Sequence, residues 1–114
     1  MIREIDRDEL KGMMDAGESF VLVNVLGRHD FEQEHICGSI NMPLEEIGVE
    51  ALKLINKDET VILYCGGPAC AASSIAGEKL SKLGYKDIWR FEGGMEAWKE
   101  AGYCLEGLGQ RVAA

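Results

Sequence analysis

Cys65 occupies the position in this chain that is best suited to covalent chemistry. It ends the apolar run Thr60–Tyr64, and a short Gly/Pro loop separates it from a segment of small residues that predicts the start of a helix. This order places a thiol at the end of a buried strand, beside backbone amides and a helix N-terminus. Such surroundings stabilise a thiolate and also bind anions. The pattern therefore predicts sulfur or phosphoryl chemistry at Cys65.

The loop after Cys65 supplies the groups expected to hold an anion. A free cysteine has a pKa of about 8.5, so only a few per cent is thiolate at neutral pH. Lowering that pKa by ~2 units requires ~2.7 kcal/mol, which convergent N–H donors and a helix N-terminus can supply. Pro68 has no N–H to contribute. We expect the substrate-binding amides to be those of Gly66, Gly67, Ala69, Cys70 and Ala71.

Two plainer interpretations of Cys65 compete with its interpretation as a nucleophile. A buried cysteine can act simply as a small apolar residue, but burial alone does not require a glycine-rich exit into a helix. Cys65 and Cys70 have a spacing that can suit zinc, yet the sequence has no second pair or suitably placed histidine to complete a tetrahedral site. We therefore expect neither a metal nor another cofactor.

Composition limits the classes of partner. The chain has 114 residues, 46% of them hydrophobic, which is enough for one core. Its net charge of −8 opposes nucleic acids and anionic membranes. No apolar run approaches the ~20 residues of a membrane span, and residues 1–6 contain no signal-peptide core. We expect a cytoplasmic protein whose four cysteines are reduced.

Strands and helices are predicted to alternate along the chain. Apolar runs predict strands at residues 2–5, 20–26, 39–42, 60–64 and 88–91, and helical spacing predicts helices at residues 9–15, 30–35, 45–55, 71–83 and 95–100. This alternation indicates an α/β fold with a parallel sheet. We expect one domain over residues 1–106 and a flexible tail over residues 107–114.

Several segments together resemble the rhodanese family of sulfurtransferases. The stretches VNVL at 23–26 and HICGSINMP at 35–43 resemble the family's "DVR" and "GHIPGAINIP", and ILYC at 62–65 resembles its "vvYC" strand. GY at 84–85 and FEGGMEAW at 91–98 resemble the family's "GY…leGG…W" ending. The resemblance implies a three-layer fold: a central, mostly parallel five-stranded sheet with helices on both faces.

The resemblance also implies a reaction. The Cys65 thiolate would attack the sulfane sulfur of a donor such as thiosulfate, giving a Cys65 persulfide and sulfite. The outer sulfur would then pass to an acceptor thiol or to cyanide, in covalent catalysis with two half-reactions. The expected partners are small molecules, and nothing in the sequence demands more than a monomer.

The chain departs from the family pattern after the nucleophile. Sulfurtransferases of the family often carry an arginine five positions after the cysteine, and phosphatase relatives carry one six positions after; here Cys70 and Ala71 stand there. Phosphoryl transfer without a guanidinium is implausible. Arg28 is the nearest candidate cation for substrate binding, or else a surface charge. Cys70 is either a redox partner of Cys65 or a small loop residue.

Three functions follow as hypotheses. The first is a sulfurtransferase with Cys65 as the nucleophile. The second is a thiol redox switch or sulfur carrier that uses Cys65 with Cys70. The third is a non-catalytic regulatory module that keeps the fold without turnover. Cys37 and Cys104 are expected to be structural or incidental thiols.

Overall fold

The computed structural model describes residues 2–109, which form a three-layer α/β domain. None of the helices in that part of the chain is long and apolar enough to cross a bilayer. The strands are β1 Ile2–Glu4, β2 Val21–Asn24, β3 His35–Ile36, β4 Ile40–Asn41, β5 Thr60–Tyr64, β6 Asp87–Phe91 and β7 Leu105–Glu106. The helices are α1 Arg7–Asp15, α2 Arg28–Gln33, α3 Val49–Leu54, α4 Ala72–Lys82 and α5 Gly94–Glu100.

Five strands form the central sheet in the order β1-β6-β5-β2-β4, and every neighbouring pair is parallel. This confirms the predicted α/β fold with a five-stranded sheet. β5 lies at the centre, where Tyr64 is opposite Asn24 of β2 and Phe91 of β6. The carboxyl ends of parallel strands meet at one edge of the sheet, which is where such folds bind ligands. Cys65 follows β5 at that edge.

The central strand is buried on both faces. Successive side chains of a strand point to opposite faces. Val61 and Leu63 accordingly pack in the core cluster that contains residues of α3 and α4. Ile62 and Tyr64 pack in the cluster that contains residues of α1 and α5. Helices therefore cover both faces, as the sequence predicted, and the end of β5 is held between two cores.

The predicted helix at residues 45–55 is two elements in the structure. A single 3-10 turn covers Leu44–Glu46, and α3 begins only after Gly48, whose φ is +118°. This backbone geometry suits glycine and interrupts helical hydrogen bonding. The interruption changes which face is buried: Ile55 is in the core, whereas Leu52, which a continuous helix would place on a similar face, is 52% exposed.

Cys37 and Cys104 form a disulfide, so the prediction of four reduced cysteines is wrong. The two residues flank the antiparallel pair β3–β7, and their Cα atoms are 5.6 Å apart, a normal separation for a disulfide. Trp98 Nε1 donates a hydrogen bond of 2.8 Å to the Cys104 carbonyl. The sequence did not predict these two-residue strands, which are too short to show a periodic pattern.

Part of the predicted tail packs against the domain. The Leu108 amide donates a hydrogen bond to Glu32 O, and the Gly109 amide donates one to Gln33 O, both at 2.7 Å. Gly107 allows this approach because its φ is +132° and a side chain there would collide with the backbone of α2. The hydrogen-bonded fold therefore extends past the predicted boundary at residue 106. Residues 110–114 of the predicted tail lie outside the described part of the chain.

Candidate active site

Cys65 is enclosed by the loop that follows it. Its side chain is 2% exposed, and its Sγ lies 3.4 Å from the Cys70 carbonyl oxygen and 3.6 Å from Ser73 Oγ. The Cys70 amide donates a hydrogen bond of 3.0 Å to Gly67 O, which turns the chain back toward Cys65. The structure thus brings together Cys65 and Cys70, as the sequence suggested.

Helix α5 anchors the start of the loop. The Met95 amide donates to Cys65 O and the Glu96 amide donates to Gly66 O, each at 2.9 Å. Gly94 makes this contact possible: its φ is +57°, and a Cβ there would collide with Cys65 O and lie 2.9 Å from the Gly67 nitrogen. A side chain at Gly67 would meet only the flexible carboxylate end of Glu96. Gly94 is therefore the packing requirement of the loop.

Helix α4 directs its N-terminus at the two thiols. Its N-cap residue, Ala71, makes no side-chain capping bond, so the first amides of the helix are not satisfied by the cap side chain. The Ser73 amide lowers the pKa of the Cys65 thiol, and the amides of Ala72 and Gly66 lower the pKa of the Cys70 thiol. The positive end of the helix dipole adds to their effect on a negative charge.

Arg90 is the cation of the site, and the sequence analysis missed it. Its Nε donates a hydrogen bond of 2.9 Å to Ser73 Oγ, and its Nη2 donates one of 3.4 Å to Cys70 O. The side chain is only 12% exposed. It reaches the loop from β6, where it is opposite Leu63 of β5. The available signal was a single arginine within the otherwise apolar stretch of residues 88–91.

Arg28, the expected cation, points elsewhere. Both of the hydrogen bonds described for its guanidinium go to the Glu46 carboxylate at 3.0 Å, and its side chain is 59% exposed. Arg28 therefore forms a surface ion pair at the start of α2. The positive charge beside the loop comes from Arg90, a residue that follows the nucleophile by 25 positions instead of five.

The pKa of Cys65 is raised, which contradicts the predicted depression. Burial is the largest cause, and the hydrogen bond to the Cys70 side chain raises it further. The hydroxyl and the amide of Ser73 act in the opposite direction. The prediction failed because burial removes water from the thiolate, and the amides of Gly66 and Ala72 are directed at the other cysteine.

The pKa of Cys70 is lowered. Burial alone would raise it, but the hydrogen bond from the Cys65 thiol, the amides of Ala72 and Gly66, and the charge of Arg90 together outweigh burial. Cys70 is also more exposed than Cys65. Of the two thiols, Cys70 is therefore the one that loses its proton more readily.

A cleft of about 300 Å³ opens beside the loop. Gly66, Leu26 and Met95 form part of its lining, together with the acidic residues Asp30 and Glu34. Glu34 is paired with Lys99, whereas the Asp30 carboxylate disfavours anions in the cleft. Within residues 2–109 no group of three or more His, Cys, Asp or Glu side chains is placed to hold a metal ion. Ser73 contacts the Cys65 thiol, and Arg90 reaches the loop through Ser73 and the Cys70 carbonyl oxygen.

Comparison of this chain with the profiles of known families identifies the family to which it belongs. The profile of the rhodanese-like domain matches residues 6–101. The chain belongs to the rhodanese-like family. Its five-stranded fold agrees with that of the rhodanese-like domain of the Alr3790 protein from Anabaena sp., with a TM-score of 0.88 and 27% identity over 100% of this chain and 87% of the other.

Several relatives of this rhodanese-like domain have functional names. It is 30% identical over 85% of its length to the putative sulfur carrier protein YrkF of Bacillus subtilis, and covers 51% of that protein. It is 36% identical over 64% of its length to the thiosulfate sulfurtransferase PspE of Escherichia coli, and covers 67% of it.

The domain is also 31% identical, over 90% of its length, to the HTH-type transcriptional regulator Rv0324 of Mycobacterium tuberculosis, and covers 44% of it. It therefore spans about half the length of the relatives Rv0324 and YrkF. A rhodanese-like unit thus occurs within proteins of different overall function.

Proposed function

We propose that this rhodanese-like domain is a sulfurtransferase that carries sulfane sulfur as a persulfide on Cys65. The observation that carries the proposal is the placement of Cys65 at the end of β5, within reach of Ser73, Arg90 and the first turn of α4. Relatives named thiosulfate sulfurtransferase and sulfur carrier support it. The positioned cation also favours catalysis over a non-catalytic regulatory module.

In the first half-reaction, the Cys65 thiol first loses its proton to water. The Cys65 thiolate attacks the sulfane sulfur of thiosulfate or of a small persulfide. The sulfur–sulfur bond of the donor breaks, and its electron pair leaves with sulfite or with the donor thiolate. Ser73 and Arg90 counter the negative charge that arrives, together with the amides of Gly66, Gly67, Ala69 and Ala71.

In the second half-reaction, a thiolate or cyanide attacks the outer sulfur and Cys65 leaves as a thiolate. We assign the acceptor to the cleft beside Gly66. The acidic lining of this cleft favours an uncharged or cationic acceptor thiol over an anionic one. All of these groups belong to one chain, so the site is complete in a monomer and needs no cofactor.

The cytoplasmic location expected from the sequence is opposed by one structural observation. Disulfides such as Cys37–Cys104 persist mainly in oxidising compartments and are rare in the cytosol. Trapping the thiols with an alkylating agent in intact cells, before lysis, measures the redox state of this pair. A fully reduced pair in cells would support the cytoplasmic assignment.

Intact mass spectrometry under non-reducing conditions tests the proposed function. The protein is incubated with thiosulfate, and separately with a low-molecular-weight persulfide. We expect an added mass of one sulfur, ~32 Da, in a Cys70→Ala variant, where Cys65 is the only free thiol of the described chain. The gain should disappear in the Cys65→Ser variant. No sulfur on Cys65 with either donor would exclude the proposed function.

A further inference from the structure

Cys65 and Cys70 are a contacting pair of thiols inside one loop. Cys65 Sγ is 3.4 Å from the Cys70 carbonyl oxygen, and each of the two side chains shifts the pKa of the other. Cys70 packs against the core cluster to which Cys65 belongs. The turn closed by the Cys70 amide and Gly67 O holds this approach. Sulfur transfer through Cys65 alone does not require a second thiol here.

The surroundings of Cys70 suit a nucleophile. Arg90 Nη2 donates to the Cys70 carbonyl oxygen at 3.4 Å, and the amides of Ala72 and Gly66 and the charge of Arg90 lower the pKa of the Cys70 thiol. Cys65 Sγ lies 3.4 Å from the same carbonyl oxygen. A persulfide on Cys65 would therefore present its inner sulfur to an adjacent thiolate.

We propose that Cys70 discharges the Cys65 persulfide as hydrosulfide and forms a Cys65–Cys70 disulfide. The inference rests on the proposed function, because the persulfide must form first. Cys70 Sγ attacks Cys65 Sγ, and a bond forms between these two atoms. The bond from Cys65 Sγ to the outer sulfur breaks, and its electron pair and the persulfide proton leave as hydrosulfide. The two cysteine sulfurs are oxidised and the sulfane sulfur is reduced, so no external oxidant takes part.

The position of attack follows from the placement of Cys65 Sγ, which the loop holds 3.4 Å from the carbonyl oxygen of Cys70. This atom becomes the inner sulfur of the persulfide. Attack on the outer sulfur would instead move the persulfide to Cys70, as a relay.

Acceptor thiols in the cleft compete with the discharge. The domain then transfers sulfur when an acceptor is bound and releases hydrosulfide when none is present. A dithiol reductant returns the disulfide to the two thiols.

A single-turnover experiment without oxygen tests the discharge. The wild-type protein and a Cys70→Ala variant are loaded with thiosulfate and freed of donor by rapid gel filtration. Intact mass and released hydrosulfide are then followed over time. In the wild type we expect the ~32 Da adduct to decay to a species ~2 Da lighter than the dithiol protein, with one hydrosulfide per chain. In Cys70→Ala the adduct should persist at least ten times longer and release no hydrosulfide.

Peptide mapping assigns the bond. Trypsin cleaves after Lys57 and Lys79, so Cys65 and Cys70 share the peptide 58–79, away from Cys37 and Cys104. The loss of ~2 Da must lie within this peptide. Cys70→Ser keeps the size and polarity of the side chain and should behave like Cys70→Ala.

Three results overturn the discharge, and they are distinguishable. Equal adduct lifetimes in the wild type and Cys70→Ala exclude a role for Cys70, while the proposed sulfurtransferase function stands. An added sulfur mapped to Cys70 replaces the discharge with a relay. Absence of any adduct on Cys65, in both proteins and with both donors, removes the sulfurtransferase function and the discharge with it.

Discussion

Arg90 donates a hydrogen bond of 2.9 Å from Nε to Ser73 Oγ, and so joins β6 to the first turn of α4. The Cys65 thiol donates to the same serine oxygen, which lies 3.6 Å from Cys65 Sγ, and the Ser73 hydroxyl lowers the pKa of that thiol. The arginine therefore acts on the nucleophile through Ser73, and it also binds Cys70 O. Arg90 is a positioning residue that supplies the loop's missing positive charge from a neighbouring strand.

Replacing Arg90 should slow sulfur loading. In Arg90→Met we expect the second-order rate constant for loading Cys65 from thiosulfate to fall about ten- to hundred-fold, because hydrogen bonds to charged groups contribute about 1.5–3 kcal/mol. Arg90→Lys should recover part of the loss. Loading is measured by intact mass after rapid acid quench.

Arg3→Met is the matched control for net charge. Arg3 lies on the neighbouring strand β1, with its guanidinium 5.3 Å from the centre of the Trp89 ring. Its replacement makes the same change in net charge without touching the loop. Equal rate losses in Arg3→Met and Arg90→Met would attribute the effect to overall charge and contradict the positioning role.

The two thiols should titrate in the order Cys70 before Cys65. As pH rises, Cys70 loses its proton first because its pKa is lowered, and Cys65 follows later because its pKa is raised. The pH dependence of iodoacetamide labelling, with the label located in peptide 58–79, measures this order. Labelling of Cys65 at lower pH than Cys70 would contradict it.

Removing Cys70 should lower the pKa of Cys65. Both interactions of Cys70 with Cys65, the side-chain hydrogen bond and the charge, raise the Cys65 pKa. In Cys70→Ala the alkylation of Cys65 should therefore begin at lower pH than in the wild type. If alkylation of Cys65 begins at the same or a higher pH than in the wild type, burial alone sets the Cys65 pKa.

Gly94→Ala should disrupt the loop as well as the backbone. A residue with a Cβ at φ +57° costs ~1 kcal/mol or more, and here the Cβ also collides with Cys65 O. Gly17→Ala is the control, because Gly17 has φ +70° and no atom within 4 Å of the added Cβ. We expect Gly94→Ala to lose more free energy of unfolding in urea than Gly17→Ala, and to load Cys65 more slowly. Equal losses of unfolding free energy in the two variants would show that the loop relieves the collision between the added Cβ and Cys65 O.

The disulfide should contribute to stability. Cys37–Cys104 closes a long loop, with a sequence separation of 67, and native disulfides typically contribute about 2–4 kcal/mol. Urea unfolding with and without a reductant measures this contribution. The wild type with reductant should match the Cys104→Ser variant, and that variant should not respond to reductant. A wild type that is insensitive to reductant would mean that the bond does not constrain the unfolded chain.

Local patterns were sufficient for most of the elements. β5 is an uninterrupted apolar run, and its prediction at residues 60–64 is confirmed. The capping box at the start of α1 is likewise a short-range pattern, and both of its reciprocal hydrogen bonds between Asp6 and Glu9 form. The single helix predicted at residues 45–55 is wrong because Gly48 adopts a φ of +118°, and the periodic spacing of apolar residues does not reveal such a break.

The sequence by itself determined the parallel α/β fold, the family and the position of Cys65, because these depend on short-range periodicity and on motifs within a few residues. Only the tertiary structure decided which cation reaches the loop, which thiol has the higher pKa and which cysteines are bonded. Arg90 reaches the loop because β6 lies beside β5, the pKa of Cys65 is raised because the folded chain buries it, and Cys37 meets Cys104 because β3 pairs with β7. Each of these depends on contacts between distant parts of the chain.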